Sequence, residues 1–151
     1  MTGWRLVKAS LAGQAFTGEG ARLYGGRWSS PGVPVVYVSE TLSLAALEVL
    51  VHLQSSGLLA SYVAFRVDFD RRGSRSVDPA HLPEDWRSWP SPPELRAIGD
   101  EWARRGRSLI LEVPSAVVPR EHNYLINPAH PGFAGLAIGP PQPFTFDSRL
   151  S

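Results

Sequence analysis

The sequence predicts an α+β fold, a single domain over residues 1–151 with a mixed, mostly antiparallel sheet and a few helices. Three observations predict it. Several short apolar or alternating runs read as strands, the clearest from Tyr62 to Phe69. Two segments, Leu42 to about Gln54 and Pro93 to Arg105, read as helices. These helices do not alternate strictly with the strands, which argues against a doubly wound sheet. Prolines and glycines between the last short runs favour turns over a second domain.

The elements follow in order. Trp4 to Val7 is a short first strand, and Ala9 to Arg22, rich in small residues, is a loop or weak helix. Val33 to Val38 is a β-branched run that reads as a largely buried strand, with Pro34 near its start where a missing N–H is tolerated. Ser39 or Thr41 caps the helix that begins at Leu42, and Gly57 ends it. From Tyr62 to Phe69 the pattern alternates: Val63, Phe65, Val67 and Phe69 against Tyr62, Ala64, Arg66 and Asp68. That is a half-buried strand. Asp70 to Pro93 is irregular, and its Trp86 and Trp89 suit a loop packed over a core edge or a cleft. The helix from Pro93 to Arg105 starts on proline and stops at Gly106. Leu109 to Val113 is a strand and Pro114 to Pro131 a turn-rich loop. Phe133 to Ile138 and Pro143 to Asp147 are short closing strands.

Composition sets limits on function. The chain has 151 residues, 43% of them apolar, enough to bury a core. Its net charge of +1 gives no strong pull toward nucleic acid or a membrane surface. Lys8 is the sole lysine, so phosphate contacts fall to arginines, whose planar forks bind bidentately. There is no cysteine, which excludes disulfides, thiolate catalysis and zinc–sulfur sites. The N-terminus lacks a secretory apolar region and no run is long enough to span a membrane, so a cytoplasmic location is expected.

Chemistry concentrates between Gly25 and His52. Arg27 follows Gly25-Gly26, and glycine permits close backbone approach to an anion. The plain alternative is a β-turn with a solvated arginine. The spacing matches neither a Walker loop nor a dinucleotide fingerprint. Glu48 is the one carboxylate on an otherwise apolar helix, in a row with Thr41, Ala45, His52 and Ser55. Pattern alone favours a narrow solvent face there; the alternative is a helix covered on most sides whose polar stripe lines a cleft. His52 reads as a partner of Glu48 or as a surface histidine. Tyr37 is a sheet aromatic or a wall that stacks on a flat ring. Ser115, Asn123 and Asn127-Pro128 read most simply as cap and turn residues. His122 and His130 lack metal-ligand spacing, so no metal is expected. No G-x-S-x-G supports a serine hydrolase.

An ordered set of short motifs carries more weight than any one of them. Trp4-Arg5-Leu6, Gly25-Gly26-Arg27-Trp28, Pro34-Val35-Val36-Tyr37 and Leu47-Glu48-Val49-Leu50-Val51-His52 come first. Val113-Pro114-Ser115-Ala116-Val117, Asn123 to Pro131 and Phe146-Asp147-Ser148-Arg149-Leu150 follow. In this order they resemble the RES-domain family of bacterial toxins, over nearly the full chain. Where the family usually has asparagine after the Gly-Gly-Arg-Trp turn, this chain has Ser29. The resemblance implies a fold like that of diphtheria-type ADP-ribosyltransferases. It implies that Arg27, Glu48 and Ser115 are the family's arginine, glutamate and serine, that Tyr37 joins them as a catalytic residue, and that Arg5, Tyr24 and Asn127 are pocket residues. It further implies NAD as substrate, growth arrest as outcome, and an Xre-type helix-turn-helix antitoxin that covers the site.

The residue types agree with that chemistry. Cleaving the nicotinamide–ribose bond leaves an oxocarbenium-like ribose. Nicotinamide leaves as a neutral base, so one carboxylate suffices, and Glu48 would stabilise the cation or orient the ribose hydroxyls. Arg27, with Arg5, would hold the pyrophosphate; Tyr37 would stack on nicotinamide; Ser115 would orient the ribose or the amide. ADP-ribose would pass to a protein, to water or to phosphate. The competing readings are a small ribonuclease and a non-catalytic binding module. Against the nuclease, there is no basic stripe interleaved with aromatics.

Overall fold

The computed structural model describes residues 1–53, 57–58 and 60–150. In chain order the elements are β1 (Thr2–Lys8), α1 (Glu19–Tyr24), β2 (Val36–Ser39), α2 (Leu42–Leu50), β3 (Tyr62–Asp68) and β4 (Ser74–Ser76). They continue with α3 (Pro93–Arg105), β5 (Ile110–Pro114), β6 (His122–Ile126), β7 (Ala137–Ile138) and β8 (Gln142–Phe144). The strands form one sheet in the order β4-β5-β6-β2-β1-β3-β7, with β8 also paired to β3. The β4–β5 pair is parallel and the other described pairs are antiparallel. The mostly antiparallel α+β expectation therefore holds.

Lateral register shows which residues share a face. Trp4 lies opposite Ser39, Ser39 opposite Asn123, and Asn123 opposite Val113. On this face α3 packs Leu95 and Trp102 against Leu111, Val113 and Leu125. On the same face α2 packs Ala45 against Leu6, Tyr62 and Ala64. The opposite face buries Val36, Val38, Val67, Ile110 and Ile126 under Phe16, Phe133 and Leu136. Two helices thus sit side by side on one face, and the strip of sheet between them is left for a cleft.

Several elements differ from expectation. The largest difference is β6: it lies inside the segment read as a turn-rich loop, yet it is a central strand between β5 and β2. Its apolar run, Tyr124 to Ile126, is too short to register as a period, and prolines and asparagines flank it. The strand expected from Val33 begins at Val36, beyond Pro34, which has no N–H for a ladder. The helix expected to reach Gln54 ends at Leu50; Gln54 and Ser55 lie outside the described residues. The Ala9–Arg22 segment divides into a 3-10 turn, Ala9–Gln14, and α1. Phe133–Ile138 is mostly a 3-10 turn, with only Ala137–Ile138 in strand, and the last strand is Gln142–Phe144. In β3 the face expected to be polar is buried at Tyr62 and Ala64 because α2 covers it there; Arg66, further along, is exposed.

Capping chemistry sets both main helices. Thr41 caps α2, its Oγ1 accepting from the Leu44 amide at 3.0 Å. Ser39, the other capping candidate, instead stays in β2. Helix α3 opens on Pro93 and closes on Gly106, whose φ of 61° is the left-handed C-cap conformation. No described helix is long and apolar enough to cross a membrane.

Candidate functional site

The glycine turn is locked from below and behind. Gly25, at φ 73°, ends α1 and redirects the chain. Gly26 and Ser29 then bridge across the turn. The Tyr37 hydroxyl rises from β2 into it, accepting from the Trp28 amide at 3.2 Å and pairing with Ser29 Oγ at 2.7 Å. A Cβ on Gly26 would lie 2.6 Å from that hydroxyl, so glycine is required by close approach. Burial pushes the Tyr37 phenol up to about 12, against the smaller opposing effects of its bonds to Ser29 and Trp28. From behind, Trp28 is buried against α3, and Asp100 accepts from the Ser30 amide at 2.8 Å. The serine at the family's asparagine position is thus a buried brace of the turn.

Arg27 projects from this rigid turn. Its Nη1 donates to the Trp86 carbonyl at 3.0 Å and the Ser88 carbonyl at 2.8 Å. Its guanidinium also lies 5.8 Å from the centre of the Trp89 ring. Burial lowers its pKa; the nearby Glu48 charge opposes that and Arg87 adds to it. Arg27 and Arg87 together outweigh the one Glu48 carboxylate, and that net positive charge favours a bound anion.

Glu48 does not occupy a solvent stripe. The exposed ridge of α2 is Ser43, Leu47 and Val51, with Val51 58% exposed. Glu48 faces the sheet and lines the cleft. Its Oε1 accepts from Ser115 Oγ at 2.7 Å and from Asn123 Nδ2 at 2.7 Å. Ser115 is fully buried just beyond β5, and its Oγ accepts from the Val117 and Val118 amides at 3.1 and 3.0 Å. Its one proton is left for Glu48, so Ser115 sits behind the carboxylate and not in the cleft. Asn123, on β6, accepts from Ser39 Oγ at 2.7 Å. His52 is exposed and packs its ring 5.2 Å from Trp89.

These residues meet around a cleft of about 1130 Å³ between the glycine turn and α2. Arg27, Tyr37 and Glu48 line it, together with Arg5 and Tyr24. Tyr24 is at the rim, 84% exposed. Arg5 is a half-buried cation whose Nε donates to the Ala15 carbonyl at 3.0 Å and Nη1 to the Tyr37 carbonyl at 3.1 Å. Burial pulls its pKa down to about 10. It stitches β1 to β2, which share a single paired position in the sheet.

Asn127 is not brought to this cleft. It is buried on the far side of α3, donating to the Ala103 carbonyl at 3.1 Å and accepting from the Ala129 amide at 3.0 Å. Its place is the local turn that an Asn-Pro pair makes. Two cleft residues carry no functional signal of their own in the sequence: Arg87, and Asn123, which reads as a turn former because β6 reads as loop. Arg87 and Trp89 line the cleft from the irregular segment, with Arg87 Nε donating to the Ala116 carbonyl at 2.9 Å. The tryptophan pair was the one signal that pointed there. Among the described residues no His, Asp and Glu cluster is placed to hold a metal.

The fold and site together define a class: an α+β protein whose cleft carboxylate, held by a serine and an asparagine, shares the cleft with an arginine on a glycine turn. Comparison with known proteins agrees. The model of the RES domain matches residues 2–147, and the chain belongs to that family. Toxin Res of Yersinia enterocolitica is 39% identical over 148 residues, covering 97% of each chain. The Prs ADP-ribosylating toxin of a Sphingobium species is 34% identical over 152 residues, covering 97% of this chain and 94% of that one. A chain in the crystal structure of the M. tuberculosis MbcT–MbcA toxin–antitoxin complex shares the fold, with a TM-score of 0.73 at 22% identity over 95% of this chain and 84% of that one.

Proposed function

We propose that this chain is the toxin of a bacterial toxin–antitoxin pair and that it consumes NAD in the Glu48 cleft. The observation that carries this reading is the Glu48 carboxylate, held at Oε1 by Ser115 and Asn123 inside an open cleft beside Arg27. The relatives' names support it: several are toxins, and one is an ADP-ribosylating toxin.

The step is a C–N bond cleavage. The electron pair of the bond between nicotinamide and the ribose carbon stays on the nicotinamide nitrogen, which leaves neutral. The ribose carbon becomes cationic, and Glu48 stabilises it. An acceptor then gives an electron pair to that carbon and releases its proton. Arg27 and Arg87, mutually close in the cleft, hold the diphosphate. Arg5 supports the floor through its carbonyl contacts, and Ser115 holds Glu48 and does not touch the ribose. Tyr37 keeps the glycine turn in place, and its ring forms part of the wall beside the nicotinamide. The acceptor is a protein, in line with the ADP-ribosylating relative. The antitoxin, of the Xre type, covers the cleft in the cytoplasm and so prevents growth arrest.

The test follows NAD by mass spectrometry with wild-type protein and Glu48→Ala. Wild type releases nicotinamide, and the variant is slower by about 10² or more. Undiminished NAD loss in Glu48→Ala, or none in wild type, overturns the reading. Labelled NAD with a cell lysate decides the acceptor: a labelled protein band supports transfer, and soluble ADP-ribose or its phosphate replaces transfer by hydrolysis or phosphorolysis.

A further inference from the structure

Glu48 has two carboxylate oxygens and the protein holds one of them. Oε1 receives both donors, Ser115 and Asn123, each at 2.7 Å. No protein donor reaches Oε2 among the described residues, and Glu48 lines the cleft. We propose that Asn123 is the positioning residue that aims Glu48. It pins Oε1 jointly with Ser115 and so presents Oε2 to the reacting ribose. This rests on the NAD-cleaving reading above.

The geometry supports the assignment at three points. The first is the direction of the Asn123 amide. An asparagine can present either its oxygen or its nitrogen to a neighbour. Here the flipped amide would set Oδ1 against the Glu48 oxygen at 2.7 Å, two acceptors with no proton between them. The Glu48 carboxylate therefore requires Nδ2, and Ser39, directly opposite in register, gives its own proton to the Oδ1 left on the other side. The amide is tied at both ends.

The second is that the two donors come from different elements. Ser115 is held by the backbone amides of the turn after β5, whereas Asn123 is held by β2. One hydrogen bond leaves a carboxylate free to swing about it. Two bonds from separate rigid elements fix its orientation.

The third is the cost of placing an amide there. Asparagine is disfavoured in strands, and β6 is central in the sheet. A polar side chain in that position needs partners. Asn123 has a partner for both ends of its amide, and neither belongs to its own strand.

The experiment compares wild type, Asn123→Ala, Asn123→Asp and Ser39→Ala for kcat, KM for NAD and thermal midpoint. Glu48 and Ser39 take both ends of the Asn123 amide, so the loss falls on kcat. Asn123→Ala lowers kcat by about 10- to 100-fold with KM within about threefold, the scale of a misaimed reacting group. Asn123→Asp keeps the shape but sets a second carboxylate against Oε1, and it is slower than Asn123→Ala. A purely structural role instead lowers the thermal midpoint and leaves kcat of the folded protein unchanged. Ser39→Ala gives a smaller kcat loss in the same direction.

A readout besides activity completes the test. The side-chain amide resonances of Asn123 shift on Glu48→Ala in NMR spectra of the folded protein. The proposal is overturned by full kcat in Asn123→Ala, by a loss confined to KM, by Asn123→Asp outperforming Asn123→Ala, or by amide resonances that stay put. If the wild type consumes no NAD, the functional reading fails first and the proposal goes with it. If wild type is active and only the asparagine variants behave as wild type, the positioning role alone is lost.

Discussion

At the residue scale, hydrogen-bonding capacity separates the roles of chemically similar side chains. Arg5 and Arg27 both line the cleft, but Arg5 is half-buried and tied to the Ala15 and Tyr37 carbonyls. Arg87 is exposed, uses Nε on the Ala116 carbonyl, and leaves its terminal nitrogens with no described partner. Arg87→Ala is therefore expected to raise KM for NAD roughly tenfold, the value of one charge-assisted contact, with little change in kcat. Steady-state kinetics at two salt concentrations check this, since the contact is ionic. Tyr37 gives a pH prediction. Its phenol is held up to about 12 by burial, above its ordinary value of 10.0. The folded state keeps the proton where the unfolded chain loses it. Stability is therefore full below pH 10 and falls as pH rises through about 12. Tyrosinate absorbance shows two groups ionising near 12 in wild type, and Tyr37→Phe removes one of them. Burial also raises Tyr124 to about 12, so one late group remains in that variant.

At the element scale, the site depends on how α2 and α3 are seated. Helix α3 touches no reacting group, yet it fixes the arginine turn. A Cβ on Gly99 would come within 1.7 Å of the Trp28 carbonyl oxygen, a backbone atom that cannot step aside. Gly99→Ala is expected to destabilise the fold by about 3 kcal/mol, and to displace the Arg27 turn with it. Thermal melts and NAD kinetics on the same sample check both effects. Helix α2 orients Glu48 through its start as much as its packing. Thr41→Ala removes the cap on the Leu44 amide and costs about 1 kcal/mol, read as a lower unfolding midpoint in denaturant. These effects reach Glu48 because α2 is short, ending at Leu50.

At the scale of the whole molecule, one sheet carries the residues that hold Glu48 in place. Ser39 on β2 and Asn123 on β6 are lateral neighbours across it, and Ser115 lies just beyond β5, whose Val113 is opposite Asn123. Unfolding in a single cooperative transition is expected, with the near-UV signal of the tryptophans and the far-UV signal of the helices lost together. Separate transitions would show that the β4–β6 side and the β1–β3 side melt independently. Much of this was legible in the sequence. Local chemistry determined α3 to the residue, through Pro93 and Gly106, because caps and prolines act within one turn of chain. It also determined the arginine turn, the Glu48 helix and the mostly antiparallel class. What it left open depended on lateral neighbours. Strand β6 has too short an apolar run to declare itself, and it becomes a strand because β5 and β2 pair with it on both sides. With it came Asn123, Ser39 as its partner, and the withdrawal of Ser115 from the cleft. The direction in which Glu48 points was equally undecided. A helical stripe of one carboxylate faces water or a cleft according to what lies opposite. Only the tertiary structure, by seating α2 and α3 side by side on one face, put the sheet and its two donors there.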